Sequence, residues 1–144
     1  MQKIKTKPVL SRENARILID FAMAKSSDLG VGAAIAVVDD GGHLICLDRI
    51  DGTMPAAANI AMGKAATCVC FKRPGIMLEQ TVTTDRPAML TLNSVSPFPY
   101  APLKGSYPVI IDGQIIGGIA VAGAETADND ELIALYAIEK FMDI

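Results

Sequence analysis

Three charged side chains in the first half of the chain are spaced so that they can meet around one ligand. Arg49 and Asp51 lie two residues apart at the predicted end of a strand, which places them on the same side of it. Lys64 follows on an alanine-rich predicted helix. An arginine binds a carboxylate through two parallel hydrogen bonds and a lysine acts as a point charge, so the cluster predicts a site for a carboxylated ligand. A structural ion pair of Asp51 with Arg49 or Lys64 is the alternative, because charged residues near a core are usually paired.

A glycine-rich strand in the second half is predicted to complete this site. The segment reads IIDGQIIGGIAVAGAETADND, and Gly117 and Gly118 inside it indicate a bulge or a place where a ligand or another backbone comes close. Gly123 lets the chain leave the sheet just before a helix, and free amides at a helix start can bind an anion. We expect Arg49 and Lys64 to converge near Gly123. The alternative is that the glycines only allow a helix to pack tightly on the strand.

Other side chains offer chemistry with less support. His43, the one histidine, can ligate haem iron through a neutral imidazole nitrogen, although a position beside a hairpin turn favours a solvated side chain. Cys68 and Cys70 are two residues apart on a predicted helix and point to nearly opposite sides, which is typical of separate thiols rather than a ligand pair. Tyr100 and Tyr107 flank a proline-rich segment, where a phenolate ligand and simple packing both remain open.

Known catalytic motifs are missing from the sequence. It contains no nucleophile elbow, P-loop, metalloprotease helix or CxxC pair, and a single histidine argues against a Ser-His-Asp triad. No metal site is predicted apart from the weak haem-ligand candidate His43. General acid–base chemistry that uses Asp51 or Glu125 together with Lys64 stays open.

The elements that must position these residues follow from local patterns. Ser11 is predicted to cap a first helix that Gly30 ends, and Asp-Gly pairs at 40–41 and 112–113 supply the positive φ angles of tight hairpin turns. Thr53 is predicted to cap the alanine-rich helix, with Pro55 in its first turn. The strands are expected at 33–39, 43–50, 107–111 and 114–122.

The remaining segments are predicted with fewer signals. Short helical pieces are expected at 74–81 and 86–93, and Asp128 with Glu131 forms a capping-box pattern for the last helix. Residues 93–108 hold four prolines, and a segment of this length without regular structure is typical of a lid, a binding loop or a subunit contact. We interpret it as a wall of the site.

Composition limits the class of protein. The 144 residues suit a single domain, 1–144, and a net charge of −3 with scattered basic residues argues against a nucleic-acid partner. No apolar run is long enough to span a membrane, and neither a secretory signal nor disulfide spacing of the three cysteines is visible, which predicts a cytoplasmic protein. A surplus of apolar residues for so small a domain predicts a homo-oligomer.

Read together, two long segments resemble a known family. AIAVVDDGGHLICLDRIDGTMPAAANIAMGKAATC and KGSYPVIIDGQIIGGIAVAGAETADNDELIALYAI are similar to the GlcG/HbpS-like haem-binding family, which includes the C-terminal domain of PduO-type proteins. The resemblance implies an α+β, profilin-like fold with about five antiparallel strands flanked by helices, the fifth in the proline-rich segment, assembled into a homo-oligomer. It also implies haem as a cofactor, with roles in redox-linked sensing or in cobalamin-dependent diol or glycerol metabolism, and in one branch a lyase activity on hydroxylamino-aromatic acids.

Two functional hypotheses follow from the residues and the resemblance. The first is an oligomeric binding module for haem or a related tetrapyrrole, whose propionates meet Arg49, Lys64 and the amides after Gly123. The second is a lyase or isomerase in which the same basic pair orients the carboxylate of a small substrate while an acid moves a proton. Whether the chain is an enzyme stays open at this point.

Overall fold

The computed structural model describes residues 1–144, and its helices and strands lie where the sequence patterns place them. A π-helical turn at Thr81–Asp85 and a 3-10 helix at Pro87–Ser94 follow the third helix. None of the helices combines the length and the apolar character that crossing a bilayer requires. The principal elements are α1 (Arg12–Leu29), β1 (Ala34–Asp39), β2 (Leu44–Arg49), α2 (Ala56–Cys70), α3 (Gly75–Gln80), β3 (Ser106–Ile111), β4 (Gln114–Ala122) and α4 (Ala127–Met142).

The four strands form one antiparallel sheet in the order β2-β1-β4-β3. Helices α1 and α4 pack on one face of this sheet and α2 packs on the other. The predicted α+β class with helices flanking an antiparallel sheet is therefore confirmed. The predicted fifth strand is wrong, since residues 95–105 contain only turns and irregular backbone.

The proline-rich segment fails to form a strand because it follows helix α2 instead of a sheet edge. Proline cannot donate to a strand ladder, which disfavours pairing at 97, 99 and 102. The amide of Ala101 donates to the Thr67 hydroxyl of α2 at 3.0 Å. A Cβ atom at Gly63 would come within 3.3 Å of Ala101, a tight contact, so a glycine favours the close approach. The segment is therefore a cover over α2.

Both ends of α1 follow the prediction, whereas the starts of α4 and α2 depart from it. Ser11 accepts from the Asn14 amide at 3.0 Å and Gly30 ends α1 in the left-handed region at φ 68°. Helix α4 is capped by Thr126, not by the predicted Asp128 and Glu131 pair. Glu131 instead accepts from the Gly105 amide at 2.8 Å and contacts the Tyr107 hydroxyl, which ties α4 to the start of β3.

The second departure is at the start of α2, where Pro55 occupies the N-cap position without a side-chain hydrogen bond. The hydroxyl of Thr53 donates to the Ala33 carbonyl at 3.3 Å, so the predicted Thr53 cap is wrong. Thr53 therefore ties the segment before α2 to the end of the sheet. In this way it fixes where the helix begins without capping it.

The two hairpin turns differ. Asp112 and Gly113 have φ angles of 50° and 74°, as the predicted tight turn requires. In the first hairpin the positive φ lies at Gly42, not at residues 40–41, and Oδ1 of Asp39 accepts from the amides of Gly41 and His43 at 2.9 and 3.0 Å. This longer turn, closed by a side chain, presents His43 at its end.

Candidate functional site

Helix α2 crosses one face of the sheet and leaves a recess along each of its flanks. Its sheet-facing stripe consists of small buried residues at three- and four-residue spacing, so the helix axis lies close to the strands. The α2 residues on either side of this stripe therefore also lie close to the sheet. The stripe consists of Ala57, Ala61, Ala65 and Cys68.

The first recess, which we call the Lys64 recess, has a volume of about 280 Å³ and lies between α2, residues 103–104 and the start of α4. Lys64 is 3% exposed, and its ammonium group donates to the Val121 carbonyl at 2.8 Å and to Asp130 Oδ2 at 3.1 Å. The other oxygen of Asp130 accepts from the Ala124 amide at 3.0 Å. Both charged groups are thus buried, paired and hydrogen-bonded.

The electrostatics of the Lys64 recess differ from the predicted basic site. Its ionisable lining is more acidic than basic, and the second cation, Lys104, is bound to Asp128 at 2.6 Å. That hydrogen bond raises the pKa of Lys104. The amides of Ala127 and Asp128, at the start of α4, donate to no protein acceptor. The donor groups free to meet an anionic ligand here are therefore peptide nitrogens. The ionisable lining residues are Lys64, Lys104, Glu79, Glu125 and Asp130.

Arg49 and Asp51 do not line this recess. Arg49 is exposed at the end of β2, opposite Ala34, which is in turn opposite Ala122. Two strand spacings, roughly 10 Å, therefore separate its backbone from the Lys64 recess. Asp51 is also exposed, and it pairs with neither Arg49 nor Lys64. The expected convergence of Arg49 and Lys64 is therefore wrong. The alternative, an ion pair of Asp51, is wrong as well, because the partner of Lys64 is Asp130 on α4.

The predicted glycines separate into two roles. A side chain on Gly118 would lie 2.6 Å from Val69 of α2, and one on Gly117 would lie 2.5 Å from the Val38 carbonyl, so packing accounts for both. Gly123 has a φ of 80° and lines the Lys64 recess. Glu125, which also lines it, has a φ of 70°, a conformation that costs energy for a side chain larger than glycine.

The second recess, which we call the His43 recess, lies on the opposite flank of α2 and has a volume of about 590 Å³. The turn of the first hairpin, α2 and the proline-rich segment enclose it. Apart from His43 its lining holds no charged or titratable side chain. The residues that line it are Val38, Gly42, His43, Leu44, Asn59, Met62, Gly63, Ala66, Phe98 and Pro99.

The imidazole of His43 is held at the mouth of its recess by two neighbours. Its side chain is 72% exposed, with Nδ1 at 3.3 Å from Asp39 Oδ1. Phe98 meets it edge to face, with the ring centroids 5.4 Å apart and an interplanar angle of 83°. Phe98 also packs on Gly42, where a side chain would come within 2.9 Å of its ring. The histidine at the hairpin is therefore accessible and, at the same time, part of a recess.

Sequence reasoning missed Asn59, Met62 and Phe98 as site residues. A signal for the first two was present, because residues 59, 62, 63 and 66 recur at three- and four-residue spacing on the predicted helix. No sequence signal identifies Phe98. Its contact with His43 joins residues 55 positions apart, and this contact depends on how the proline-rich segment crosses α2.

The cysteines and tyrosines that the sequence offers as candidate ligands lie in different environments. Cys68 is buried and Cys70 is exposed, as their spacing predicts, and burial raises the pKa of the Cys68 thiol to about 12. Burial, followed by the contact with Glu131, raises the pKa of Tyr107. The Tyr100 hydroxyl is buried without a protein partner in a recess of about 410 Å³ that adjoins the Lys64 recess. The two recesses share the lining residues Ile60, Glu79 and Leu103.

Comparison with known proteins places the whole fold in one family. The family model described as haem degrading protein HbpS-like matches residues 10–139. The chain is 36% identical to protein GlcG of Escherichia coli K12 over 119 residues, 83% of this chain and 85% of GlcG.

Two solved structures share the fold. The ORFY protein of Klebsiella pneumoniae superposes with a TM-score of 0.87 at 23% identity, covering 100% of this chain and 98% of that one. The PduOC chain, solved as a complex with haem, superposes with a TM-score of 0.82 at 25% identity, covering 92% of this chain and 94% of that one. The chain belongs to the family of HbpS-like haem-degrading proteins.

Proposed function

We propose that the protein binds haem or a related tetrapyrrole, and that the His43 recess is where it does so. The observation that carries the proposal is the combination, in one recess, of apolar walls, a volume of about 590 Å³ and an accessible imidazole. That volume falls within the roughly 300–1,000 Å³ typical of small-molecule sites. A relative of similar fold, PduOC, has been solved with haem, which supports the same ligand class.

The residues present suit a macrocycle that is apolar on its faces and ionised at one edge. Val38, Leu44, Ala66 and Phe98 supply hydrocarbon, and a neutral imidazole nitrogen is a common axial ligand of haem iron. Because His43 lies at the mouth of the recess, propionates on a bound ring can remain in water and need no cationic partner. When bound, haem supplies one-electron and oxygen chemistry that the side chains do not.

The Lys64 recess suits haem less well than the sequence predicts. Its volume of about 280 Å³ is half that of the His43 recess, and Lys64 is already neutralised by Asp130. Arg49 lies outside both recesses. The expected capture of propionates by Arg49, Lys64 and the amides after Gly123 is therefore not part of the proposal.

Titration of the purified protein with haemin tests this function. We expect a saturable Soret shift at one equivalent per chain. Asn59 is exposed and lines the His43 recess, so Asn59→Trp should obstruct the recess without disturbing the core and weaken binding. Ala56→Trp, at an exposed α2 position outside both recesses, is the matched control and should bind like the wild type. A featureless, non-saturating response of the wild type, or equal binding by both variants, contradicts the proposal.

A second candidate function is a lyase or isomerase reaction on a small carboxylated substrate in the Lys64 recess. The favouring observation is a buried Lys64–Asp130 pair at the wall of a recess that also presents free amides of α4 and the half-buried acid Glu79. A substrate carboxylate would bind to the amides while an acid moves a proton.

Amide chemical shifts measured during titration with short mono- and dicarboxylates test this second function. Saturable shifts centred on Gly123, Glu125 and Ala127 support a carboxylate site, and Lys64→Met should then remove any turnover found. Shifts scattered over the surface, or none, exclude the site. Because the two recesses lie on opposite flanks of α2, haemin binding and carboxylate binding can be scored independently.

A further inference from the structure

We propose that Met62 is the second axial ligand of a haem held by His43, so that the His43 recess provides an imidazole and a thioether to one iron. The inference rests on the proposed function and adds to it the identity of the sixth ligand. Both residues line the same recess. They come from different elements, the turn of the first hairpin and helix α2.

Elimination among the lining residues supports this assignment. Seven of them are glycine, proline or hydrocarbon side chains, which offer no ligand atom to iron. Asn59 offers only a carboxamide, a harder and weaker donor than nitrogen or sulfur. His43 and Met62 remain, and the pair of ligand types, imidazole with thioether, is one that haem proteins use.

The chain prepares His43 for this role through Asp39. Nδ1 of His43 lies 3.3 Å from Asp39 Oδ1, so a carboxylate stands beside one ring nitrogen, and Nε2 is the nitrogen that we assign to the iron. The same oxygen accepts from two turn amides, so the carboxylate has a fixed position. Phe98 also restricts the imidazole by its edge-to-face contact.

Met62 has the properties of an adaptable ligand. It is half-buried on the flank of α2, and its unbranched side chain with three rotatable bonds can adjust the sulfur to a bound ring. A methionine ligand opposite histidine raises the reduction potential of the haem relative to bis-histidine ligation. If His43 and Met62 both bound the iron, they would favour electron exchange over O₂ binding.

Spectroscopy of haemin-loaded variants tests the assignment. We expect a six-coordinate, low-spin spectrum for the wild type. Met62→Leu preserves volume at a half-buried site and should bind haemin more weakly, with a high-spin, five-coordinate spectrum and a lower reduction potential. Met54→Leu is the matched control, because Met54 lines the Lys64 recess, and it should keep the wild-type spectrum. His43→Ala should weaken haemin binding by about tenfold or more.

The outcomes separate this inference from the proposed function. Saturable uptake with a low-spin spectrum that Met62→Leu leaves unchanged overturns the Met62 assignment alone. A high-spin spectrum of the loaded wild type does the same. Non-saturating uptake by the wild type overturns the proposed function and the assignment together.

Discussion

Replacing Lys64 with methionine tests whether the buried pair with Asp130 is a fixed structural link between α2 and α4. The substitution keeps the aliphatic volume and removes the ammonium group, which lies 2.8 Å from the Val121 carbonyl and 3.1 Å from Asp130. Removing one partner of a buried pair typically costs about 3–5 kcal/mol of unfolding free energy, because the other charge stays buried without compensation. Asp130 keeps the hydrogen bond from the Ala124 amide. We therefore expect a loss near the lower limit, about 3 kcal/mol.

A double-mutant cycle separates this pairing from other effects of the substitution. Asp130→Asn keeps an acceptor for Ala124 but leaves the Lys64 ammonium buried without its counter-charge, so it should also cost about 3 kcal/mol alone. The double variant Lys64→Met/Asp130→Asn leaves no unpaired charge, so we expect it to lose about 3 kcal/mol, which gives a coupling of about 3 kcal/mol.

Urea unfolding followed by circular dichroism measures these free energies, provided that the slope m is the same for all variants. Lys104→Met is the matched control, because the partner of Lys104, Asp128, is largely exposed and exposed ion pairs contribute little to the free energy of unfolding. If the losses of the two single variants add in the double variant, or if Lys64→Met costs no more than Lys104→Met, the pair is not the link that the geometry indicates.

Three further predictions concern packing, pH and assembly. Gly118→Ala should destabilise the fold by about 1–3 kcal/mol because a new methyl would lie 2.6 Å from Val69, whereas Gly113→Asn, at an open turn position, should change the unfolding free energy by much less. Since the pKa of Tyr107 is raised in the folded state, its stabilisation is complete below its unfolded pKa of about 10 and is lost as pH rises above it. The melting temperature of the wild type should therefore fall more steeply above that pH than that of Tyr107→Phe, and parallel curves would contradict this. The predicted homo-oligomer should give a light-scattering mass that is a multiple of 15.2 kDa, and a mass of one chain would exclude it.

Local signals in the sequence were enough to predict the elements but not their mutual contacts. The spacing of Ser11 and Gly30 predicts α1 because capping depends on residues within one turn. The Asp112-Gly113 turn is local in the same way. The family resemblance implies a fifth strand, and this prediction is wrong. Contacts of the proline-rich segment with α2, such as Ala101 with Thr67, decide the path of the chain there.

In the candidate site, too, local signals predict individual residues but not their contacts. The sequence identifies Lys64 as a candidate ligand-binding residue, with an ion pair of Asp51 with Arg49 or Lys64 as the alternative. The partner of Lys64 is instead Asp130, which is 66 positions away. This ion pair depends on how the start of α4 is placed against β4, close to the Lys64 side chain of α2, and no periodicity within either helix contains that information. Arg49 was joined to Lys64 by reasoning from proximity in the sequence.

The small residues of α2 explain why one predicted site became two recesses. Alanines at 57, 61 and 65 let the helix lie so close to the sheet that it closes the space beneath itself, and the remaining volume is divided between its flanks. Lys64 and Asn59 are less than two turns apart on α2, yet they line different recesses. Larger side chains in the stripe would move the helix away from the sheet and join the two recesses. Ala61→Leu should therefore change both haemin uptake and the Lys64–Asp130 link. Asn59→Trp should affect haemin uptake alone. Loss of haemin uptake in Ala61→Leu with an unchanged free-energy coupling between Lys64 and Asp130 would show that the stripe does not control both recesses.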